Sequence, residues 1–170
     1  MISDRLVQLL ESQAERLTNS WVELLRSNEN TQTYGVIDDA ILIKRIHDVY
    51  RKLHLWLDWG VSSEDVARYF MLIGQERQEQ DIPLCAVCYA VILARRNLYI
   101  HIMEESVPRD SLEMQQVNEF NSRITYFFDK AIYFIIKGYE GKHQQIIEEE
   151  GMLSRILQAF KTGTSLSTPD

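Results

Sequence analysis

Apolar side chains recur three, four and seven residues apart along most of the chain, which is the spacing of one face of an α-helix. The first predicted helix is capped by Ser3 and ends before a polar, turn-like segment, Ser27–Gly35, which we expect to be a loop. Its apolar stripe contains Leu6, Leu9, Leu10, Leu17, Trp21, Leu24 and Leu25.

Two further helices follow this loop. Asp38 or Asp39 begins the second, and Gly60 ends it, because glycine is frequent just past a helix C-terminus. Ser62 or Ser63 caps the third helix, whose first turn carries carboxylates where the helix dipole favours them.

Proline and aspartate mark the starts of the last two helices. Pro83 is predicted to be the first residue of the fourth helix, since proline fits that position. Asp110 or Ser111 caps the fifth. The pattern therefore predicts an all-α bundle of about five helices with a long C-terminal signalling helix. A globin-like arrangement of these helices is one alternative.

The fifth helix carries the most informative segment. If it runs from Ser111 to Gly141, it is about 45 Å long, at about 1.5 Å per residue. Its segment Ala131–Ile136 is apolar on every face, so every face needs to be covered. A monomeric bundle covers one side of a peripheral helix, and we expect a second copy of the chain to cover the other.

A heptad pattern continues beyond this segment and is typical of a coiled coil. Gly138, Gly141 and Gly151 interrupt it, so a break or swivel at one of them is part of the expectation. The alternative is an amphipathic helix that folds back onto its own bundle. The predicted dimer and relay positions are Phe128, Ile132, Tyr133, Ile135, Ile136, Tyr139, Ile146, Leu153 and Ile156.

These patterns divide the chain into three parts. Residues 1–142 form a helical sensor domain, 143–161 a C-terminal helix or stalk, and 162–170 a linker or frayed end rich in Gly, Ser and Thr.

Charge and composition narrow the function. The 170 residues carry a net charge of −7, which argues against a nucleic-acid surface, because phosphate contacts need clustered Lys and Arg. No run of about 18 apolar residues occurs, so we expect no membrane insertion. Charged residues interrupt Met1–Leu10, unlike an export signal, and we expect a cytoplasmic protein with reduced thiols.

Few residues indicate a catalytic, cofactor-binding or metal-binding site. Cys85 and Cys88 form a C-x-x-C without the βαβ setting of a redox site, and we interpret both as small buried hydrophobes. His54 and His101 are weak candidates for axial haem ligands, against the simpler interpretation of surface or core-edge imidazoles. We therefore expect no cofactor and no metal, and Glu148–Glu150 are interpreted as a solvated face.

Arg95 lies in the middle of the fourth helix, close to the apolar stripe. A buried arginine needs a carboxylate partner, and Glu76, Glu79 and Asp81 are the candidates. The alternative is a surface arginine whose stem lies along the bundle.

Four stretches resemble the RsbRD N-terminal domain family, which is named for co-antagonists of a stress-response switch kinase in bacterial stressosomes. Gly74–Leu84 followed by Ala94–Tyr99 resembles its core signature, Leu17–Leu25 its first helix, and Phe127–Glu140 its last helix. Asp81 replaces the glycine that is usual before the apolar-Pro-Leu step. The positions that carry the resemblance, all interpreted as structural, are Trp21, Gly74, Arg77, Pro83, Leu84 and Arg95.

The resemblance implies a non-catalytic bacterial input domain over residues 3 to 141, of a kind that also precedes histidine kinases. Such domains dimerise and pass a signal to a kinase, STAS or DNA-binding module. We thus expect a homodimer, an output signalling partner and an unidentified small ligand, and no enzyme activity. The alternatives are a haem- or small-ligand-binding globin-like sensor and a small helical-bundle enzyme.

Overall fold

A computed structural model describes residues 4–57, 63–105 and 108–162, and describes side chains for 8–53, 55–57, 64–105, 108–141 and 151. Throughout these ranges the chain is helical or in short connections, without strands, which confirms the all-α bundle. Ser3 and Gly60 lie outside the described residues. The elements are α1 (Asp4–Ser27), a 3₁₀ helix η1 (Glu29–Val36), α2 (Asp39–Leu57), α3 (Ser63–Glu79), α4 (Leu84–Glu105) and α5 (Ser111–Thr162).

The segment predicted to be a loop is largely the 3₁₀ helix η1, kinked at Thr31, and that prediction was wrong. Short polar side chains build this helix locally. The Asn28 side chain accepts a hydrogen bond from the Asn30 amide, and the Thr31 hydroxyl donates to the Leu25 carbonyl at 2.7 Å. Arg26 then donates to the carbonyls of Tyr34 and Ile37, both at 2.6 Å. The polarity that resembled a loop signal thus satisfies the backbone of a tight helix.

Side-chain caps fix the helix starts close to where the pattern placed them. The Asp38 carboxylate accepts from the Ala40 amide at 2.7 Å, and the Asp110 carboxylate accepts from the Glu113 amide at 2.8 Å. Pro83 stands one position earlier than predicted: its carbonyl accepts from the Ala86 and Val87 amides, so it is the N-cap of α4.

The turn between α3 and α4 is a Schellman motif. The Ile82 amide donates to the Arg77 carbonyl at 3.1 Å and the Asp81 amide to the Gln78 carbonyl at 3.0 Å. Asp81 has a φ of 55°, in the left-handed region that glycine occupies most easily. The replacement of glycine by Asp81 therefore changes the strain in this turn and not its geometry.

The core is shared by all six elements. Where α2, α3 and α5 meet, aromatic rings pack edge-to-face, tilted or stacked with centroids 5.3 to 5.9 Å apart. They are Trp56, Tyr69, Phe70, Phe127 and Phe128. The largest fully buried side chains elsewhere include Tyr50, Leu10, Leu17, Leu25, Leu42, Leu53, Ile82, Leu98 and Ile102.

Among the described residues α4 is the one helix that is long and apolar enough to cross a membrane, and 44% of its most apolar window is buried inside the bundle. The central helix of a globular bundle has the same length and composition.

α5 comprises 52 residues, which is about 78 Å at about 1.5 Å per residue. It continues as one helix through Gly138, Gly141 and Gly151, so the expected break at a glycine is absent. It packs against α3 and α4 and touches α2 before it continues past Gly141. The predicted coiled-coil positions Ile146, Leu153 and Ile156 are helical, but their side chains lie outside the described ones.

Candidate functional site

Two glycines bring the backbones of α3 and α5 into direct contact, and we call this pair the glycine contact. A Cβ atom built on Gly74 would lie 2.1 Å from the Ile135 carbonyl oxygen and 2.8 Å from the Tyr139 amide nitrogen. A Cβ atom built on Gly138 would lie 2.1 Å from the Met71 carbonyl oxygen. Neither position has room for a side chain, so only glycine permits this approach.

The side chains around the glycine contact hold the same two helices together. Ile135 is buried against the core, and Tyr139 donates a hydrogen bond from its hydroxyl to the Ile82 carbonyl at 2.9 Å. Tyr139 thereby ties α5 to the turn that ends α3. The backbone contact and this hydrogen bond therefore join α3 and α5 at the same level of the bundle.

The apolar segment 131–136 is divided between core and surface. Ala131 and Ile135 are buried in the chain itself, Ile132, Phe134 and Ile136 are half-buried, and Tyr133 is 56% exposed. Of the predicted dimer and relay positions, Phe128 also lies in the core of its own chain. The outward surface of this part of α5 is therefore centred on Tyr133.

Two further exposed side chains extend that surface, and together they form what we call the α5 outer stripe. Leu112, Tyr126 and Tyr133 are each more than half exposed and stand at intervals of seven or fourteen residues. Heptad spacing places them on one side of the helix. Lys130 lies over the Tyr126 ring, 5.6 Å from its centroid, so a cation caps one aromatic ring of the stripe.

Arg77 is a buried cation, 4% exposed, at the junction of η1, α3 and the following turn. Its Nη1 donates to Gln80 Oε1 at 2.7 Å, and its guanidinium carbon lies 5.7 Å from the centroid of the Tyr34 ring. Burial raises the pKa of Tyr34 to about 12, although the neighbouring Arg77 charge acts in the opposite direction. This pair anchors η1 on α3.

Arg95 has a different partner from those predicted. Its Nη1 lies 2.6 Å from Asp129 Oδ1 on α5, and its side chain is 32% exposed. Glu76, one of the predicted partners, instead pairs with Arg45 on α2. The sequence pattern placed Arg95 next to the core, but it could not predict that α5 would pack against this part of α4 and supply the carboxylate. Leu84 is half-buried at the start of α4 and Pro83 is exposed.

Asn97 is the centre of a buried polar network between α1, α2 and α4. Its Nδ2 donates to the Leu17 carbonyl at 2.8 Å, and its Oδ1 accepts from the Ser20 hydroxyl at 2.8 Å. The Tyr50 hydroxyl, 3.4 Å from Asn97 Nδ2, donates to the Ala94 carbonyl at 3.0 Å. Burial raises the pKa of Tyr50 well above its ordinary value of 10.

The landmark Trp21 lies beside this network. Its indole Nε1 donates to the Ala90 carbonyl at 2.9 Å, which joins α1 to α4. This supports the structural role expected of Trp21, because a buried indole N–H needs a partner.

His101, one of the two haem candidates, is 9% exposed and lies one helical turn after Asn97. Its Nδ1 is 2.9 Å from the Asn97 carbonyl oxygen. It borders an open groove between α1 and α4 that is also lined by Glu15, Glu23 and Glu104. Carboxylates do not fit the flat, apolar face of a porphyrin. The side chain of His54, the other candidate, lies outside the described ones.

The cysteines differ from their prediction, since Cys85 is exposed and Cys88 only half-buried. Burial, and the neighbouring Cys85, raise the pKa of the Cys88 thiol, which disfavours the thiolate that redox chemistry needs. Among the described residues no group of three or more His, Cys, Asp or Glu side chains could hold a metal ion. The side chains of Glu148–Glu150 are not among those described.

Comparison with known proteins identifies a family whose model covers most of the described bundle. The family model "Histidine kinase N terminal" matches residues 3–141. The chain belongs to this family. A search of curated proteins and a search of solved structures find no match.

The histidine kinase N-terminal match ends at Gly141, within α5 and shortly after the glycine contact. It therefore covers the bundle, Trp21, the Asn97 network and the α5 outer stripe. The resemblance implied an input domain over the same residues, and the match supports its coarser part, the N-terminal domain of histidine kinases.

Sequence reasoning missed several residues that organise this histidine kinase N-terminal domain. Gly138 was interpreted as an interruption of a heptad, although a glycine inside a helix often marks a close backbone approach. Asn97, a polar residue inside the apolar pattern of α4, was the available signal for a buried network. Tyr126 and Tyr34 carried no local signal, because their exposure and burial depend on which helices pack together.

Proposed function

We propose that the chain is a non-catalytic, cytoplasmic input domain that dimerises and transmits a signal through α5 to an output module. The first candidate for that module is a histidine kinase, as the family description indicates. A STAS domain or a transcriptional regulator is the alternative.

The glycine contact is the observation that carries the relay. α5 begins in the bundle, meets α3 backbone to backbone at Gly138, and continues as one helix to Thr162. A ligand or partner that shifts α3 therefore shifts α5 with it. Packed helices exchange between discrete arrangements and resist gradual bending, so the displacement reaches the end of the helix as a shift or rotation.

The α5 outer stripe supports the dimer. Tyr126 is 66% exposed and Tyr133 56% exposed within a single chain, and both are large aromatic side chains on one continuous helix. A second copy of α5 would bury both rings, and each buried aromatic ring contributes substantially to association. The partly buried Ile132 and Ile136 flank Tyr133 and would enlarge the contact.

Light scattering at micromolar concentration tests the dimer. The wild-type chain should have twice the mass of one chain, and a Tyr126→Arg, Tyr133→Arg double variant should be a monomer with an unchanged helical spectrum. Tyr99→Arg is the matched control, because Tyr99 is a similarly exposed aromatic residue on α4. A strictly monomeric wild-type chain would refute the dimer.

Insertions in α5 test the relay in a fusion with the catalytic module of a histidine kinase. A seven-residue insertion after Gly141 restores the phase of the helix to within about 20°. A two-residue insertion rotates everything beyond it by about 200°. Autophosphorylation should stay near the uninserted level with seven residues and change severalfold with two. Equal activity in both fusions would rule out transmission through the helix.

The resemblance to the RsbRD N-terminal domain family points to a finer proposal, a stressosome-type co-antagonist in which the output is a STAS domain. Fusions of residues 1–162 to a STAS domain and to a kinase module test this finer proposal. If the natural output is a STAS domain, the STAS fusion should remain a dimer. Loss of the dimer in the STAS fusion alone would oppose the stressosome assignment.

A further inference from the structure

The groove between α1 and α4 has a volume of about 760 Å³, which is in the range of pockets that bind small molecules. The groove is separate from the glycine contact: that contact joins α3 and α5, whereas the groove is bounded by α1 and α4. Its lining combines exposed carboxylates with His101, a residue that is 9% exposed.

The hydrogen bonds at the floor of the groove leave acceptors facing a ligand. A carbonyl oxygen can only accept, so the 2.9 Å contact with the Asn97 carbonyl makes His101 Nδ1 the donor. In the neutral imidazole Nε2 then carries a lone pair, and no hydrogen bond between described residues uses it. Ser20 donates its hydroxyl proton to Asn97 Oδ1 at 2.8 Å, which leaves its oxygen lone pairs as acceptors.

The charged side chains at the rim of the groove also favour a ligand that donates hydrogen bonds. Glu15 and Glu23 on α1 and Glu104 on α4 line the groove, and the cation among the lining residues, Arg16, is engaged by Glu105 at 3.0 Å. Acceptors at the floor and carboxylates at the rim select a ligand that donates hydrogen bonds and carries positive charge.

The spacing of the carboxylates determines the shape of that ligand. Glu15 and Glu23 are eight residues apart on one helix, which is about 12 Å at about 1.5 Å per residue. The carboxylates and His101 do not form a metal cluster, since no such group occurs among the described residues. Positive charges distributed along a flexible chain match this arrangement, whereas a single compact cation does not.

We propose that the α1–α4 groove binds an elongated organic polycation of the polyamine class. One ammonium group donates to His101 Nε2 and Ser20 Oγ at the floor, and the remaining ammonium groups lie against Glu15, Glu23 and Glu104. Binding is a property of the bundle and holds whether or not α5 transmits a signal, so failure of the relay leaves this proposal standing.

Isothermal titration calorimetry of the whole chain with spermidine, at 150 mM salt to suppress diffuse attraction to an acidic protein, tests the site. Glu15→Gln and Glu104→Gln should each weaken binding about two- to fivefold, as expected for exposed ion pairs, and the double variant about tenfold. Glu29→Gln removes the same charge from an exposed position on η1, outside the groove, and should leave the affinity within twofold.

Two further variants probe the floor, so that one misfolded variant does not end the test. His101→Phe and Ser20→Ala should each weaken spermidine binding about fivefold. Butylamine, which has a single amine, should bind at least tenfold more weakly than spermidine. The proposal is overturned if spermidine does not bind at millimolar concentration, if Glu29→Gln weakens binding as much as the groove variants, if both floor variants that fold bind normally, or if butylamine binds equally well.

Discussion

The bundle holds its helices together in two different ways, and the contrast separates a part suited to transmission from a part suited to recognition. At the glycine contact, α3 and α5 meet backbone to backbone without intervening side chains. Between α1 and α4, a polar network around Asn97 joins the helices beneath an open groove. A direct contact of two backbones has one close-packed arrangement, whereas a polar contact beside a groove retains groups for a ligand.

Filling the glycine contact should have the largest effect. Gly138→Ala should destabilise the chain by about 3 kcal/mol, because the obstructing atom belongs to the backbone of α3 and cannot rotate away. Gly141→Ala, three residues further along the same helix with nothing within 4 Å of its Cβ position, should stabilise by about 0.5–1 kcal/mol. Urea denaturation of both variants measures the difference. Equal free energies of unfolding would show that the two helices are not in contact.

Removing the centre of the polar network should have the next largest effect. Asn97→Ala removes the side-chain donor to the Leu17 carbonyl and leaves the Ser20 hydroxyl without its acceptor, and should cost about 2 kcal/mol in the free energy of unfolding. Asn118→Ala, at an exposed position of α5, is the control and should change stability by less than about 0.5 kcal/mol. A cost for Asn97→Ala as small as that of the control would indicate that water reaches the network.

The burial of Tyr34, which raises its pKa, predicts how stability depends on alkaline pH. The pKa of Tyr34 is about 12 in the folded chain, against 10 for an ordinary tyrosine. The folded chain therefore holds this proton more tightly. Its contribution is complete below pH 10 and is lost as the pH rises towards 12, with a slope of at most about 1.4 kcal/mol per pH unit.

The measurement is the difference between the wild-type chain and Tyr34→Phe, which cancels the titration of lysines and of other tyrosines. The free energy of unfolding should fall more steeply with pH in the wild-type chain between pH 10 and 12. Parallel curves would mean that Tyr34 is accessible to water.

The turn that connects the two regions should show the smallest effect. Asp81 adopts a φ of 55° between α3 and α4, so Asp81→Gly should stabilise the chain by about 0.5–1 kcal/mol. Asp65→Gly, in the first turn of α3, should instead destabilise it by a similar amount, since glycine weakens a helix. Thermal unfolding of the two variants should therefore shift in opposite directions, and a shift in the same direction would contradict the Schellman turn.

Sequence periodicity alone predicted the helical class and the starts of α2 and α3, because these depend on the spacing of apolar residues and on local caps. It failed for η1, where polar side chains serve the backbone of a 3₁₀ helix instead of solvent. It also placed Phe128 and Ile135 on a dimer surface, although both lie in the core. Apolar character indicates that a side chain is buried, but not whether its own chain or a second copy buries it.

The partner choices were decided by the tertiary structure. Arg95 pairs with Asp129, 34 positions away in the chain, and not with any of the nearer carboxylates considered. Gly138 interrupts a heptad in the sequence but meets the backbone of α3 in the fold. Local propensity and capping act within a few residues and are therefore encoded in the order of the chain. Contacts between helices depend on how whole helices pack, and only the folded arrangement brings those residues together.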